Sequence, residues 1–138
     1  MNIRQQIIDA LEGRLVAIAG VNKVTQWRIN DLAPAELPAI NIKDTIDEMP
    51  SDGVIGKIDH LLQIELTAVI HRNATAPKVS RQLIADIIGA IGQDKTFSNL
   101  AYDTVINSAE LDLDTTVTTF ANARINITVN YRTGLWSI

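Results

Sequence analysis

Residues 120–132 constrain this chain more than any other stretch. Ala123, Ile125, Ile127, Val129 and Tyr131 alternate there with Asn122, Arg124, Asn126, Thr128, Asn130 and Arg132. Successive side chains of a strand point to opposite faces. A period of two with one apolar and one polar set therefore marks a strand that is wet on one side. Such a strand belongs to an antiparallel or mixed sheet. Residues 105–114 repeat the pattern, with Ala109, Leu111 and Leu113 set against Ser108, Glu110, Asp112 and Asp114. Folded back as a hairpin about Val117, the two strands place Glu110 opposite Arg124 and Asp112 opposite Asn122. Cross-strand pairing then accounts for these charges without a ligand.

Residues 57–71 predict the longest strand. Ile58, Leu62, Ile64, Leu66, Ala68 and Ile70 share one face with His60, and Gln63, Glu65, Thr67 and His71 share the other. Leu61 and Val69 make that second face partly apolar, which predicts a central strand covered on both sides. Two further strands precede it. One spans 21–30 and contains Trp27; the other spans 39–47 after Pro38, with Ile40, Ile42 and Ile46 read as one face. Pro50-Ser-Asp-Gly53 marks a turn, and Gly56 extends it.

Two segments carry helical periodicity instead. Ile3, Ile7, Ile8, Leu11, Leu15 and Ile18 form a stripe over 3–19, with Asn2 placed as N-cap and Gly20 just past the end. Val79, Leu83, Ile84, Ile87, Ile88 and Ile91 form a second, opened by Thr75 as N-cap and closed by Gly92. The order α-β-β-β-α-β-β predicts an α+β fold, an antiparallel or mixed sheet of about five strands packed with two helices. At 138 residues the chain reads as a single domain.

Composition narrows the chemistry. There is no Cys, so Cys nucleophiles, disulfides and thiolate zinc sites are excluded. His60 and His71 are separated by roughly 35 Å of extended strand and cannot share a metal within one chain. His60 reads as a strand-end residue beside Asp59. No phosphate loop, zinc-helix motif or nucleophile elbow is present. No catalytic residue, cofactor or metal site is therefore predicted. Glu110, Asp112 and Asp114 form an acidic row that could bind a divalent cation or do acid–base work. Pairing or an oligomer contact is the stronger reading of it. Arg124 and Arg132 on their Asn-rich face would be the site of a nucleic-acid binder, which a net charge of −4 argues against. No apolar leader or membrane-length run appears, so an intracellular protein with no membrane partner is expected.

Charge placement says more than net charge. Residues 44–59 carry five acids against Lys57, residues 94–114 five against Lys95, and residues 115–138 none beside Arg124 and Arg132. Such segregation suits a subunit that meets copies of itself, or a partner, through complementary patches. Two apolar features lack an obvious place in the core. Met49, Val54 and Ile55 stand among Asp47, Glu48 and Asp52, and Trp136 stands in the terminal Gly134-Leu-Trp-Ser-Ile138. The candidate protein-contact residues are Met49, Asp52, Val54, Ile55, Glu110, Asp112, Asp114, Arg124, Arg132 and Trp136.

The element order, with Leu37-Pro-Ala-Ile-Asn-Ile42, His60-Leu-Leu-Gln-Ile-Glu-Leu66, the helix from Ala76-Pro to Ile91, Phe97 and Leu100, and Ile125-Asn-Ile-Thr-Val-Asn-Tyr-Arg-Thr133, resembles the bacteriophage tail terminator proteins. These are the lambda-type minor tail protein U group and related prophage proteins. The resemblance implies a structural protein with no catalytic residues and no cofactor. It implies a hexameric ring on the end of the tail tube that stops polymerisation and offers a surface for head joining. The implied partners are the chain itself, the tail tube protein and the head-completion protein. The implied location is the host cytoplasm during assembly and then the virion tail. Another head–tail connector or tail-completion protein is the alternative, and a small carboxylate-dependent metal-binding enzyme a more remote one.

Overall fold

A computed structural model describes residues 2–28, 32–50, 55–71, 73–112, 120–134 and 136. The elements are α1 (Ile3–Val16), β1 (Lys23–Gln26), a 3-10 turn at Pro34–Glu36, β2 (Ala39–Glu48), β3 (Lys57–His71), α2 (Ala76–Gly92), β4 (Asp103–Asp112) and β5 (Phe120–Gly134). The strands form one mixed sheet in the order β1-β2-β3-β5-β4. Only β1, paired to β2, is parallel to its neighbour. The fold is α+β, with the expected α-β-β-β-α-β-β order.

Both helices cover the same face of the sheet. α1 starts where Asn2 Oδ1 accepts the Gln5 N–H at 2.6 Å, as its N-cap position requires. It buries Ile7, Ile8, Leu11 and Leu15, and the chain then turns at Gly20, whose φ of +91° favours a residue without Cβ. α2 buries Leu83, Ile87 and Ile91, but Val79 and Ile88 lie at the margin of its stripe and reach solvent. Thr75 occupies the N-cap position without a side-chain cap bond. Asn73 Oδ1 instead accepts from both the N–H and the hydroxyl of Thr75. Ile40, Ile42, Leu62, Ile64, Leu66, Ile125, Ile127 and Val129 meet the helices from the sheet, with Phe97 filling the core beneath the loop after α2.

Five expectations need correction. β3 is covered by helices on one face only, because α1 and α2 both pack on the same side. On the far face Gln63, Glu65, Thr67, Asn126 and Thr128 are half-buried, chiefly by one another. Val69 alone of β3's far face meets apolar cover, in a small cluster with Leu32, Leu37 and Ala39. β1 is the four residues Lys23–Gln26 and stops at Trp27, whose positive φ of +49° an extended strand does not allow; residues 29 and 30 of the expected strand lie outside the described residues. Ile46 does not share the face of Ile40 and Ile42. The β2–β3 register steps from Asp44 opposite Ile64 to Ile46 opposite Gln63, so Thr45 is a bulge residue. The extra residue reverses the alternation, sending Ile46 to the wet face and Asp47 to the helix face. The fourth concerns His60, described below, and the fifth the apolar face of β4.

The hairpin register is as the sequence predicts, Glu110 opposite Arg124 and Asp112 opposite Asn122. β4 forms one edge of the sheet, and its expected apolar face is not buried: Ala109 and Leu111 are exposed, and Leu113 lies outside the described residues. Its bulge at Asn107 and its acids Asp103, Glu110 and Asp112 blunt that edge against strand addition.

Candidate functional site

The Thr45 bulge builds a polar cluster inside the helix-covered face. Asp47, with its side chain 4% exposed, accepts from His60 Nδ1 at 3.0 Å and from the Tyr131 hydroxyl at 2.5 Å. A carboxylate only accepts, so the Nδ1 of His60 carries hydrogen, and Nε2 shares a hydrogen bond with Thr133 Oγ1 at 2.8 Å. The His60 ring stacks on Tyr131 with centroids 4.2 Å apart. Burial, with the Asp47 acceptor second, raises the Tyr131 hydroxyl well above its ordinary pKa and keeps it a donor. Arg4 reaches Asp47 Oδ2 at 3.8 Å and binds Asp44 Oδ2 at 2.5 Å. Trp27 Nε1 donates to the other oxygen of Asp44 at 2.7 Å.

A hydroxyl, an imidazole and a carboxylate in series is the order of a nucleophile, a base and its orienting group. Here His60 is 1% and Thr133 4% exposed, and both ring nitrogens are already engaged. The cluster ties α1, β2, β3 and β5 together at one end of the sheet. His60 is thus a buried, doubly bonded residue. Asp59, its sequence neighbour, faces the other side of the sheet and pairs with Arg132. Sequence reasoning missed this cluster because a bulge leaves no periodic signal. The shared parity of Tyr131 and Thr133, beside an otherwise apolar face bearing His60, was its one readable trace.

The wet face carries a ladder of internal polar contacts. Arg132 Nε and Nη2 donate to the two oxygens of Asp59 at 2.6 and 3.4 Å, and its guanidinium lies 5.1 Å from the centroid of the Tyr102 ring. The Arg132 hydrogen bond holds the Asp59 carboxyl below its usual range. Thr128 links Gln63 to Asn107, and Asn126 donates to Ser108. Arg124 pairs with Asp112 at 3.6 Å, diagonal to its register partner Glu110. Both candidate arginines therefore have partners within their own chain. Among the described residues, no group of three or more His, Cys, Asp or Glu could hold a metal ion. None of their helices is long and apolar enough to cross a membrane.

The remaining candidates gather at the end of the sheet nearest Asp47. Lys57 and Gly134 form the last β3–β5 pair. Just beyond it Ile55 is 99% and Trp136 89% exposed, and Met49, one residue past β2, is 46% exposed. Gly56 and Trp136 both have positive φ, turning the chain away from the ladder and leaving these side chains proud of it. Asp52, Val54 and Asp114 lie outside the described residues. Met49, Ile55 and Trp136 thus lie toward the same end of the sheet as Arg132, and Glu110, Asp112 and Arg124 toward the opposite end. That opposite end holds a feature sequence reasoning did not foresee. An apolar cleft of about 330 Å³ opens between the turn after α1 and the first half of α2. It is walled by Ala19, Gly20, Pro38, Val79 and Leu83, with Lys78, Gln82 and Asp86 also lining it.

No family model matches this chain, and no curated protein matches it. Among solved structures, a chain of the virion of a native gene transfer agent (GTA) particle is similar to it. The TM-score is 0.45 and the identity 10%, over 96% of this chain and 92% of that one.

Proposed function

We propose that this protein is a ring-forming structural subunit of a phage-type tail, of the tail terminator kind. It caps the tail tube, stops its polymerisation and presents a surface for head joining. The observation that carries the assembly part is the pair Ile55 and Trp136, two large apolar side chains left to solvent just past the last β3–β5 rung. Apolar groups gathered this way mark protein–protein contact surfaces. The tail assignment rests on the sequence resemblance running from Leu37 to Thr133. A ring subunit must offer two unlike faces, because rotational closure uses heterologous contacts. Two ends of one sheet with different chemistry meet that need. The partners in this reading are further copies of the chain, the tail tube protein and the head-completion protein.

A phage or prophage lacking the gene tests the reading. Overlong tail tubes are expected, and rings of added protein should appear on tube ends by negative-stain microscopy. Tails of normal length that fail to join heads would assign the chain to the connectors instead. Normal, infectious particles would remove both.

A further inference from the structure

We infer that the end of β2 is a two-register switch, in which Asp47 and Glu48 are alternative inward carboxylates for His60 and Tyr131. The inference is independent of the proposed assembly. Up to the step, β2 and β3 pair Ala39 with Val69, Ile42 with Leu66 and Asp44 with Ile64. Thr45 then stands outside the ladder, and Ile46, Asp47 and Glu48 pair with Gln63, Leu62 and Leu61. Returning Thr45 to the ladder, opposite Gln63, continues the pairing of the first half. Ile46 then falls opposite Leu62, Asp47 opposite Leu61 and Glu48 opposite His60. That is the register which the shared parity of Ile40, Ile42 and Ile46 spells out in the sequence.

Each register satisfies what the other gives up. In the observed one Asp47 accepts from His60 and Tyr131 inside the helix-covered face, while Ile46 is left 54% exposed. In the slipped one Ile46 joins the buried Leu62 and Ile64 and recovers the burial it lacks. Asp47 moves to the wet face and Glu48 turns inward. His60 already pairs with Tyr131, so Glu48, His60 and Tyr131 then share one rung across β2, β3 and β5. Directly opposed side chains of an antiparallel pair are within reach of each other, and the two buried donors keep a carboxylate. Arg4 and Trp27 hold Asp44, which precedes the step and stays in place. The 3.8 Å approach of Arg4 to Asp47 is given up. Thr45 itself is held by a long contact, its Oγ1 donating to the Gln63 carbonyl at 3.4 Å. A register is firmly set where a slip would expose its apolar set, whereas this slip buries one apolar residue more. The slip lengthens the paired strand by one residue and carries Met49 roughly 3.3 Å toward the Lys57 end. It also replaces Ile46 and Glu48 on the wet face by Thr45 and Asp47, so a partner that touches this face selects between the registers.

Asp47→Lys separates the two. In the observed register it buries an ammonium against His60, Tyr131 and Arg4 and removes their acceptor; in the slipped register it stands on the wet face. Ala at this position tolerates either face and does not force the choice. Full-length Asp47→Lys is expected to stay folded by circular dichroism. The chain has no cysteine, so Ile46→Cys reports the register. Position 46 should react freely with a maleimide in the wild-type background and about tenfold or more slowly beside Asp47→Lys. Glu48→Ala should leave the wild-type thermal midpoint unmoved and lower that of Asp47→Lys. Deleting Thr45 removes the spare residue and fixes position 47 inward, so Asp47→Lys should unfold that shortened chain. If Asp47→Lys unfolds the full-length chain, or folds with position 46 still reactive, β2 has one register and the switch is wrong. The ring reading stands or falls by its own test.

Discussion

The buried Asp47 carboxylate joins β2 to α1, β3 and β5. It takes hydrogen bonds from His60 and Tyr131 where no water can substitute, and Arg4 lies within 4 Å. Replacing Asp47 with Ala strands two buried donors, each costing about 1–3 kcal/mol. Asp47→Ala should therefore lose roughly 2–4 kcal/mol in urea denaturation, whereas a comparable change at exposed Glu48 should stay within about 0.5 kcal/mol. Asp94 makes a different point. The Thr96 hydroxyl and the N–H groups of Ser98 and Thr96 draw its pKa from 3.8 down to about 2. A depressed folded pKa means the stabilisation is present above the unfolded value and lost as pH falls through the folded one. The difference in thermal midpoint between wild type and Asp94→Asn should be full above pH 4 and shrink toward pH 2. A difference that is constant with pH would show that ionisation of Asp94 is not what matters.

At the scale of elements, the periodicities of α1, β3 and β5 were legible because each has one face buried and one wet, whereas β4, at the sheet edge, alternates in sequence yet leaves Ala109 and Leu111 exposed. β2 was only half legible. Its first four residues, Ala39 to Ile42, are all buried, Asn41 among them, and its second half is shifted by the Thr45 bulge. Sequence shows Ile40, Ile42 and Ile46 in one parity, interrupted by Asp44, and does not locate the step. The step has a measurable consequence. Ile42→Ala opens a cavity in the core and should cost about 2–4 kcal/mol, while Ile46→Ala, on the wet face, should cost less than about 0.5 kcal/mol. Equal losses would mean that Ile46 faces the helices and the bulge is misplaced. α2 shows the same limit at its ends. Val79 fits the stripe by spacing, yet it walls an open cleft, because α1 turns away at Gly20 instead of covering it.

At the scale of the molecule, the charge segregation read from sequence resolves into two kinds. Part of it is internal, since Asp44 pairs with Arg4, Asp59 with Arg132 and Asp112 with Arg124. Arg132→Glu should therefore lower the thermal midpoint more than Arg124→Glu. The Asp59 pair has the closer, two-toothed geometry and the Arg124 pair is looser and more exposed. The reverse order would show that the wet-face ladder contributes little. Other charges, Glu48 and Lys57 at one end and Lys78 and Arg81 at the other among them, form no ion pair among the described residues.

The sequence by itself determined the class of fold, the order of its elements and the hairpin register, because burial of one face writes a period of two or 3.6 into the residues. It also determined which residues were too apolar for their setting. Only the tertiary structure decided that Met49, Ile55 and Trp136 share one end and the cleft the other. It alone turned Asp47 inward and gave Arg124 and Arg132 internal partners. These outcomes depend on one bulged residue and on which strands lie side by side. Both are set by packing between segments far apart in the chain, which no local pattern records.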